Sequence, residues 1–219
     1  MLYSVYNACM KIYLATNNAH KKREMQEILA PHTIIVPSDE GIICNPVEDG
    51  TSFYANSLIK AQALYQLVHA PVIADDSGIC VDALNGAPGI YSSRWAGPDF
   101  PQGKRDGSKI PQAEQNRMLI AALNTAQQKN PALSRTAHYT CAMVLYLGID
   151  RLFIAQEIMA GEIVASLSEA RGTGGFGYDP IFLLPQLRKT AAELSAKEKN
   201  AISHRGKATR ALLRLAGEL

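Results

Sequence analysis

The sequence predicts a protein of the α/β or α+β class, built around one mixed β-sheet. Short apolar runs rich in β-forming residues alternate irregularly with segments whose apolar residues recur at helical spacing. The 219 residues, 47% of them hydrophobic and 19% charged, have the composition of a folded globular chain. We therefore expect one domain that spans residues 1–219.

The first predicted elements are a strand, a polar turn and a helix. Residues 11–15 (KIYLA) are apolar and rich in β-formers, which predicts a strand. Residues 16–18 (TNN) follow, and because Asn is a favoured N-cap, the apolar residues that then recur at helical spacing predict a helix. A second strand is predicted over residues 33–36 and a second helix over residues 52–68.

The carboxylate pair Asp75-Asp76 follows residues 71–74 (PVIA), an apolar run that predicts a buried strand ending just before the pair. After the pair, the sequence predicts a loop over residues 97–112 and a helix over 115–126. Strands are predicted over 139–147, 152–157 and 161–165, with a turn at 148–150. A last helix is predicted over 203–216. The three strands are typical of an antiparallel meander.

Composition limits the classes of partner. A net charge of +2 does not provide the concentrated basic face that binds a nucleic-acid polymer. No apolar run reaches the roughly 18–20 residues that span a bilayer. None of the four cysteines (Cys9, Cys44, Cys80 and Cys141) forms the C-x-x-C pair typical of zinc sites. We therefore expect a cytoplasmic protein with neither membrane nor nucleic-acid partner. A start at Met10 would make residues 1–9 an N-terminal extension.

Asp75 and Asp76 are the first candidate for chemistry. In α/β proteins, ligands bind at the carboxyl ends of strands, where this pair is predicted to lie. Hard carboxylate oxygens suit Mg²⁺, which in turn binds phosphate oxygens, and one Asp could instead deprotonate a water molecule. The alternative is an Asp-rich turn that caps the following element.

The turn at residues 16–21 (TNNAHK) is the second candidate. A strand that leads into a helix presents backbone N–H groups and the positive end of the helix dipole, which favour an anion. Lys21 is unfavourable against that dipole unless an anion lies nearby. The alternative is a capped helix with a solvated basic first turn. The Walker A pattern is absent.

Residues 172–180 (GTGGFGYDP) match the G-x-G-x-x-G pattern of dinucleotide-binding folds only formally, because strand-like residues 181–184 follow where a helix should begin. A rigid glycine loop that presents Phe176 and Tyr178 for stacking on a base fits better. The alternative is a tight turn whose aromatic rings pack inward.

The start of the last helix is a further candidate. Ser203 is a plausible N-cap, which places His204 and Arg205 in the first turn. Both side chains donate hydrogen bonds, as recognition of a base carbonyl oxygen requires. The alternative is a solvated helix start.

Five segments in this order resemble the inosine triphosphate pyrophosphatase family, the dITP/XTP diphosphatases, from Lys11 to nearly the C-terminus. They read ATNNAHKKREM, EDGTSFYANSLIKA, IADDSGICVDALNGAPGIYSSRWAG, GTGGFGYDPIF and KTAAELSAKEKNAISHRGKA. The resemblance implies an elongated, two-lobed α/β fold around a central mixed β-sheet, with an active-site cleft between the lobes, and a homodimer. It also implies Mg²⁺-dependent cleavage of ITP, dITP or XTP to the monophosphate and pyrophosphate.

The resemblance further implies roles for individual residues. Asp76 would be the proton acceptor and a metal ligand, with Glu48 and Asp75 assisting at the metal. Substrate would be bound by Thr16, Asn17, Asn18, Ala19, His20 and Lys21 at the triphosphate, by Ser77, by Phe176, Gly177, Tyr178, Asp179, Lys199, His204 and Arg205 at the nucleoside, and by Lys60 and Arg94 as further phosphate or cleft residues.

Two positions depart from the family pattern, since Asn17 stands where Gly is common and Ala55 where Glu is usual. Asn56 and Lys60, four residues apart, lie on one face of the predicted helix.

Two other functions stay open: a related pyrophosphatase acting on dTTP, UTP or modified nucleotides, and a nucleotide-binding sensor without turnover.

Overall fold

A computed structural model describes residues 11–104 and 106–217. The proposed extension over residues 1–9, which includes Cys9, lies outside the described residues.

The strands form one mixed sheet. They are β1 (Lys11–Leu14), β2 (Thr33–Ile35), β3 (Val72–Val81), β4 (Thr136–Gly148), β5 (Arg151–Ile163), β6 (Phe182–Leu184) and β7 (Lys189–Thr190). Their order in the sheet is β2-β1-β3-β4-β5-β6-β7. β1 pairs in parallel with both β2 and β3, whereas β5 with β6 and β6 with β7 are antiparallel. The prediction of an α/β protein with a mixed sheet is therefore confirmed.

The described residues form five α-helices: α1 (Ala19–Ile28), α2 (Phe53–Val68), α3 (Gln112–Lys129), α4 (Ala196–Ile202) and α5 (His204–Leu215). Three of them begin at a polar side chain that accepts hydrogen bonds from N–H groups of the first turn: Asn18 for α1, Ser52 for α2 and Ser203 for α5. These local caps explain why the starts of these helices could be predicted from sequence. Along the described residues, no helix is both long and apolar enough to cross a bilayer.

The described chain divides into two compact units. The first unit comprises residues 11–76, 141–157 and 203–217, and the second comprises residues 77–140, with residue 105 not described, and 158–202. Trp95, Leu119 and Phe182 are among the buried side chains that form the core of the second unit.

The sheet of the first unit has a separate apolar cluster on each face. Ile73 of β3 packs in one cluster with Met25 of α1 and Leu212 of α5. Its neighbours Val72 and Ala74 pack in the other cluster, with residues of α2. Because successive side chains of a strand point to opposite faces, residues 72–76 of β3 present their odd-numbered side chains to α1 and α5 and their even-numbered side chains to α2.

The prediction that a strand ends at residue 74 is wrong, because β3 continues through Asp75, Asp76 and Gly78 to Val81. Asp, Ser and Gly are depleted from strands, so local propensity predicted a turn. Tertiary contacts outweigh that propensity here, since the Asp75 side chain is fully buried and paired with cations. The carboxylates consequently lie inside a strand and point to its two faces.

Other predicted elements are confirmed with changed limits. The predicted strands over 152–157 and 161–165 are one strand, β5, because residues 158–160 continue the strand where a break was expected, and it ends at Ile163. A Cβ at Gly161 would lie 2.7 Å from the ring of Phe182, so glycine permits this close packing. The helix predicted over 115–126 is α3, which is longer at both ends. Residues 97–111 contain no helix or strand among those described, as predicted.

Candidate active site

Asp76 lies at the centre of a carboxylate–lysine cluster in the first unit, formed by Glu48, Lys60 and Asp76. The Lys60 Nζ atom of α2 lies 3.3 Å from Asp76 Oδ1 and 3.0 Å from Glu48 Oε2. Burial alone would lower the pKa of Lys60, but the charges of Asp76, Asp75 and Glu48 outweigh burial and raise it. Lys60 is therefore a cation at neutral pH, held between two carboxylates.

Asn56 completes the surroundings of Asp76. Its Nδ2 donates to Asp76 Oδ2 at 3.2 Å, and its Oδ1 accepts from the Gly50 N–H at 2.9 Å. The side chain is buried, with 1% exposure. Sequence reasoning did not include Asn56 among the site residues, although its helical spacing from Lys60 placed the two on one face.

Asp75 points to the opposite face of β3 and belongs to a buried charge network of Lys21, Glu24, Asp75 and Arg205. Asp75 Oδ2 lies 3.0 Å from Lys21 Nζ and 2.9 Å from Arg205 Nη2. Burial alone would raise the pKa of Asp75, but Lys21, Arg205 and Lys60 hold it well below its usual range. Asp75 is therefore ionised and engaged by two cations.

Arg205 is 1% exposed and contacts two carboxylates, because its Nη1 also donates to Glu24 of α1. Burial would lower the pKa of Arg205, but Asp75 and Glu24 outweigh it and raise the pKa. The predicted alternative of a solvated helix start is wrong, since His204 is also buried, at 5% exposure. Glu24 was not predicted as a site residue, and no sequence signal links it to Arg205 181 residues away.

The turn predicted to bind an anion, residues 16–21, leads into the first turn of α1. Asn18 Oδ1 accepts from the N–H groups of His20 and Lys21, and Thr16 Oγ1 accepts from the Asn18 N–H. Asn17, at the position where the family usually has Gly, donates to Asn45 Oδ1 at 3.0 Å. Ala19 and His20 are exposed at the helix start. The structure therefore joins this turn to Asp75 through Lys21 and to the segment that carries Glu48 through Asn17.

The glycine loop lies in the second unit. Asp179 Oδ2 accepts from the Phe176 N–H at 2.7 Å and from Lys199 Nζ at 2.6 Å. The Lys199 Nζ atom also lies 5.1 Å from the centroid of the half-buried Phe176 ring. Gly175 has a φ of +67°, and a Cβ there would lie 2.0 Å from Asp179 Oδ2, so only glycine fits. Phe176, Asp179 and Lys199 are thus brought together.

Tyr178 differs from its prediction. Its ring is 3% exposed within the core of the second unit, and its hydroxyl donates to the Ser92 carbonyl oxygen at 3.0 Å. Burial raises the pKa of Tyr178. The prediction that Tyr178 presents a stacking surface is wrong, since an apolar ring in this loop gains more free energy from packing inward. Gly177, beside it, accepts from Asn116.

Two further predicted residues lie in the second unit. Ser77 follows Asp76 in β3 and is partly buried. Arg94 is exposed, and its guanidinium carbon lies 5.0 Å from the centroid of the Tyr91 ring.

The carboxylate–lysine cluster supplies carboxylate oxygens, the type of ligand that Mg²⁺ prefers. Glu48 and Asp76 both reach one cation, Lys60, so their oxygens converge on one region. Mg²⁺ is usually held by one or two carboxylates together with substrate phosphates and water, which this pair can satisfy. The described residues contain no group of three or more His, Cys, Asp or Glu side chains arranged to hold a metal ion. Asp75, engaged by Lys21 and Arg205, fits a ligand role poorly.

The mixed sheet defines an α/β protein that carries two adjacent carboxylates, Asp75 and Asp76, beside a basic turn at residues 16–21. The family model described as the Ham1 family matches residues 12–215. The chain belongs to the Ham1 family.

Relatives and solved structures agree with this assignment. The chain is 46% identical to the "dITP/XTP pyrophosphatase" of Treponema denticola over 199 residues, which cover 91% of this chain and 94% of that protein. It is also 46% identical to the protein of the same name from Thioalkalivibrio sulfidiphilus, covering 93% of this chain and 97% of that one. A HAM1 protein structure from Coxiella burnetii matches with a TM-score of 0.79 and 36% identity, covering 96% of this chain and 100% of that chain.

Proposed function

We propose that this chain is a hydrolase that cleaves deaminated purine nucleoside triphosphates, dITP, XTP and ITP, to the monophosphate and pyrophosphate. Relatives 46% identical over more than nine-tenths of the chain bear the name dITP/XTP pyrophosphatase. The observation that carries the proposal is the position of Asp76, buried in β3 and held by Lys60 and Asn56. This is the arrangement expected of a preorganised proton acceptor.

In the proposed reaction, the oxygen of a water molecule bonds to the α-phosphorus, and the bond from that phosphorus to the pyrophosphate oxygen breaks. Asp76 takes the proton that the water loses. Its carboxylate meets a geometric requirement of this role, because the Asn56 amide and the Lys60 ammonium hold its two oxygens in one orientation. Pyrophosphate leaves with the bonding electron pair.

Two lysines of the first unit are proposed to neutralise the negative charge of the triphosphate and of the leaving pyrophosphate. The side chains of Lys60 and Lys21 are 12% and 13% exposed, so each is largely withdrawn from water while keeping access to a ligand. Cations in such a setting stabilise developing negative charge more strongly than they do in water. The turn at residues 16–21 is the proposed cradle of the phosphates.

We propose that Glu48 and Asp76 hold Mg²⁺, which when bound would supply additional charge neutralisation at the phosphate oxygens. Asp75 is not included in this ligand set. Its carboxylate instead orients Lys21, with which it forms an ion pair of 3.0 Å, and this is the role that we propose for it.

For the base, we propose that Phe176 supplies the stacking ring in the second unit and that Lys199 and Asp179 hold the loop that presents it. In the first unit, the guanidinium of Arg205 is directed at Asp75 and Glu24. We therefore assign Arg205 to holding Asp75. A homodimer in the cytoplasm remains part of the proposal.

A panel of nucleotides tests the proposal. The purified chain is incubated with Mg²⁺ and dITP, XTP, ITP, dATP, dGTP, dTTP or UTP, and pyrophosphate and phosphate are measured separately. We expect pyrophosphate from the first three substrates and at least about a hundredfold lower kcat/KM for dATP, since a site that pairs with a carbonyl oxygen rejects an amino group. Faster cleavage of dTTP or UTP, or tight binding of dITP without turnover, would favour the two other functions.

A further inference from the structure

Asn56 connects two parts of the proposed site that the sequence places apart. It lies in the first turns of α2 and is 1% exposed. Its amide nitrogen donates to Asp76 Oδ2 at 3.2 Å, and its amide oxygen accepts from the Gly50 N–H at 2.9 Å. Gly50 lies two residues after Glu48, in the same segment between β2 and α2. One side chain therefore contacts both the proposed proton acceptor and the segment of the second carboxylate.

The orientation of the Asn56 amide is determined by its two partners. A carboxylate oxygen can only accept a hydrogen bond and a backbone N–H can only donate one, so a flipped amide would lose both interactions. Buried polar groups left without partners are costly, which disfavours that flip. The amide thus keeps its N–H directed at Asp76 Oδ2, while Lys60 contacts the other oxygen, Oδ1.

Gly50 allows this contact by its size. A Cβ at Gly50 would lie 2.6 Å from Asn56 Oδ1 and 2.8 Å from the Ala55 Cβ. Any larger residue would therefore displace the Asn56 amide or the segment itself. Residues 41–52 form no α-helix or strand, so the Gly50–Asn56 hydrogen bond is one of the contacts that locate Glu48 near Lys60.

We propose that Asn56 is a positioning residue for the reaction: it orients the Asp76 carboxylate and holds the Glu48 segment against the same lysine. The inference rests on the proposed pyrophosphatase function and adds to it a residue that acts through Asp76. A group that fixes the orientation of a catalytic carboxylate affects the rate of the chemical step more than the affinity for substrate.

Ser57, the next residue of α2, provides a matched control. It is also fully buried, and its hydroxyl donates to the Ala142 carbonyl oxygen at 2.7 Å. Ser57→Ala removes one buried hydrogen bond from the same turn without touching Asp76 or Gly50. A loss of activity that came only from a weakened α2 would appear in Ser57→Ala as well as in Asn56→Ala.

The experiment measures kcat and KM for dITP with Mg²⁺ in the unaltered chain and in the variants Asn56→Ala, Gly50→Ala and Ser57→Ala. Circular dichroism at the assay temperature gives the folded fraction, to which each kcat is normalised. For Asn56→Ala we expect kcat to fall about 10- to 100-fold, the usual effect of removing a group that orients a ligand or catalytic side chain. We expect KM to stay within about threefold, and Ser57→Ala to keep both constants within about threefold.

Every outcome either supports or overturns the positioning role of Asn56. A folded Asn56→Ala chain whose kcat stays within about threefold of the unaltered value overturns the proposal, as does an equal loss in Ser57→Ala. If Asn56→Ala does not fold, Gly50→Ala decides, because it keeps Asn56 but displaces its amide: a fall in kcat supports the proposal, and an unchanged kcat overturns it. An unaltered chain that releases no pyrophosphate refutes the proposed function itself, which separates the two failures.

Discussion

Asp75→Asn should destabilise the protein strongly, because it leaves two cations without their buried carboxylate partner. The substitution changes almost no volume, so its effect reports on the charge alone. The side chain is fully buried, and its partners Arg205 and Lys21 are 1% and 13% exposed. Removing one partner of a buried ion pair costs about 3–5 kcal/mol. Arg205 keeps Glu24 as a partner and Lys21 can reach water, so we expect the lower end, about 3 kcal/mol. For a chain of this length, that corresponds to a fall in Tm of about 6–12 °C.

The assay is urea unfolding followed by far-ultraviolet circular dichroism, with Asp76→Asn as the matched control. Asp76 is 13% exposed, and Lys60 keeps Glu48 when Asp76 loses its charge. We therefore expect Asp76→Asn to lower the unfolding free energy by less than Asp75→Asn does. If Asp75→Asn stays within about 1 kcal/mol of the unaltered chain, the buried charge network does not stabilise the fold and our reasoning is refuted.

The stabilising effect of the Asp75 carboxylate should depend on pH. The pKa of Asp75 in the folded chain lies below that of an unfolded Asp, about 3.9, so the unfolded chain takes up the proton first as pH falls. The stability that this carboxylate contributes is therefore present above about pH 4 and is lost at lower pH. The difference in unfolding free energy between the unaltered chain and Asp75→Asn should shrink between about pH 5 and pH 3. A constant difference over that range would contradict the assigned ion pairs.

Three further predictions concern activity and the glycine loop. Asp76→Asn should lower kcat for dITP by about 10²- to 10⁴-fold while circular dichroism shows an intact fold; near-normal turnover would exclude Asp76 as the proton acceptor. Phe176→Ala should raise KM for dITP about 5- to 150-fold, since stacking on a base contributes about 1–3 kcal/mol; an unchanged KM would remove Phe176 from the base site. Gly175→Ala should lower Tm and weaken dITP binding, because the new Cβ would lie 2.0 Å from Asp179 Oδ2 at a φ of +67°. Thermal melting and calorimetric titration check both effects, and an unperturbed Tm would show that the loop adapts.

Local sequence signals were sufficient to predict several elements of the fold. Helices α1, α2 and α5 begin at Asn18, Ser52 and Ser203, whose side chains bond to N–H groups two or three residues away. Such caps depend only on neighbouring residues, so the sequence predicted those of α1 and α5, whereas α2 was predicted from its apolar spacing. The rejection of a dinucleotide-binding fold at residues 172–180 is likewise confirmed, because strand β6 follows and no α-helix begins there.

Contacts between distant residues could not be predicted in this way. Asp75 meets Arg205 across 130 positions, and Asp76 meets Asn56 across 20. Tyr178, which the pattern placed on a stacking surface, is buried with its hydroxyl bonded 86 residues away. Which side chain is buried depends on the packing of several elements, and no single segment carries that information.

The sequence by itself determined which residues are candidates for the chemistry: the carboxylates Asp75 and Asp76, the basic turn at residues 16–21 and the loop with Phe176. Only the tertiary structure decided how the two carboxylates divide their roles. Because β3 continues through both, and successive side chains of a strand point to opposite faces, Asp75 meets Lys21 and Arg205, whereas Asp76 meets Lys60.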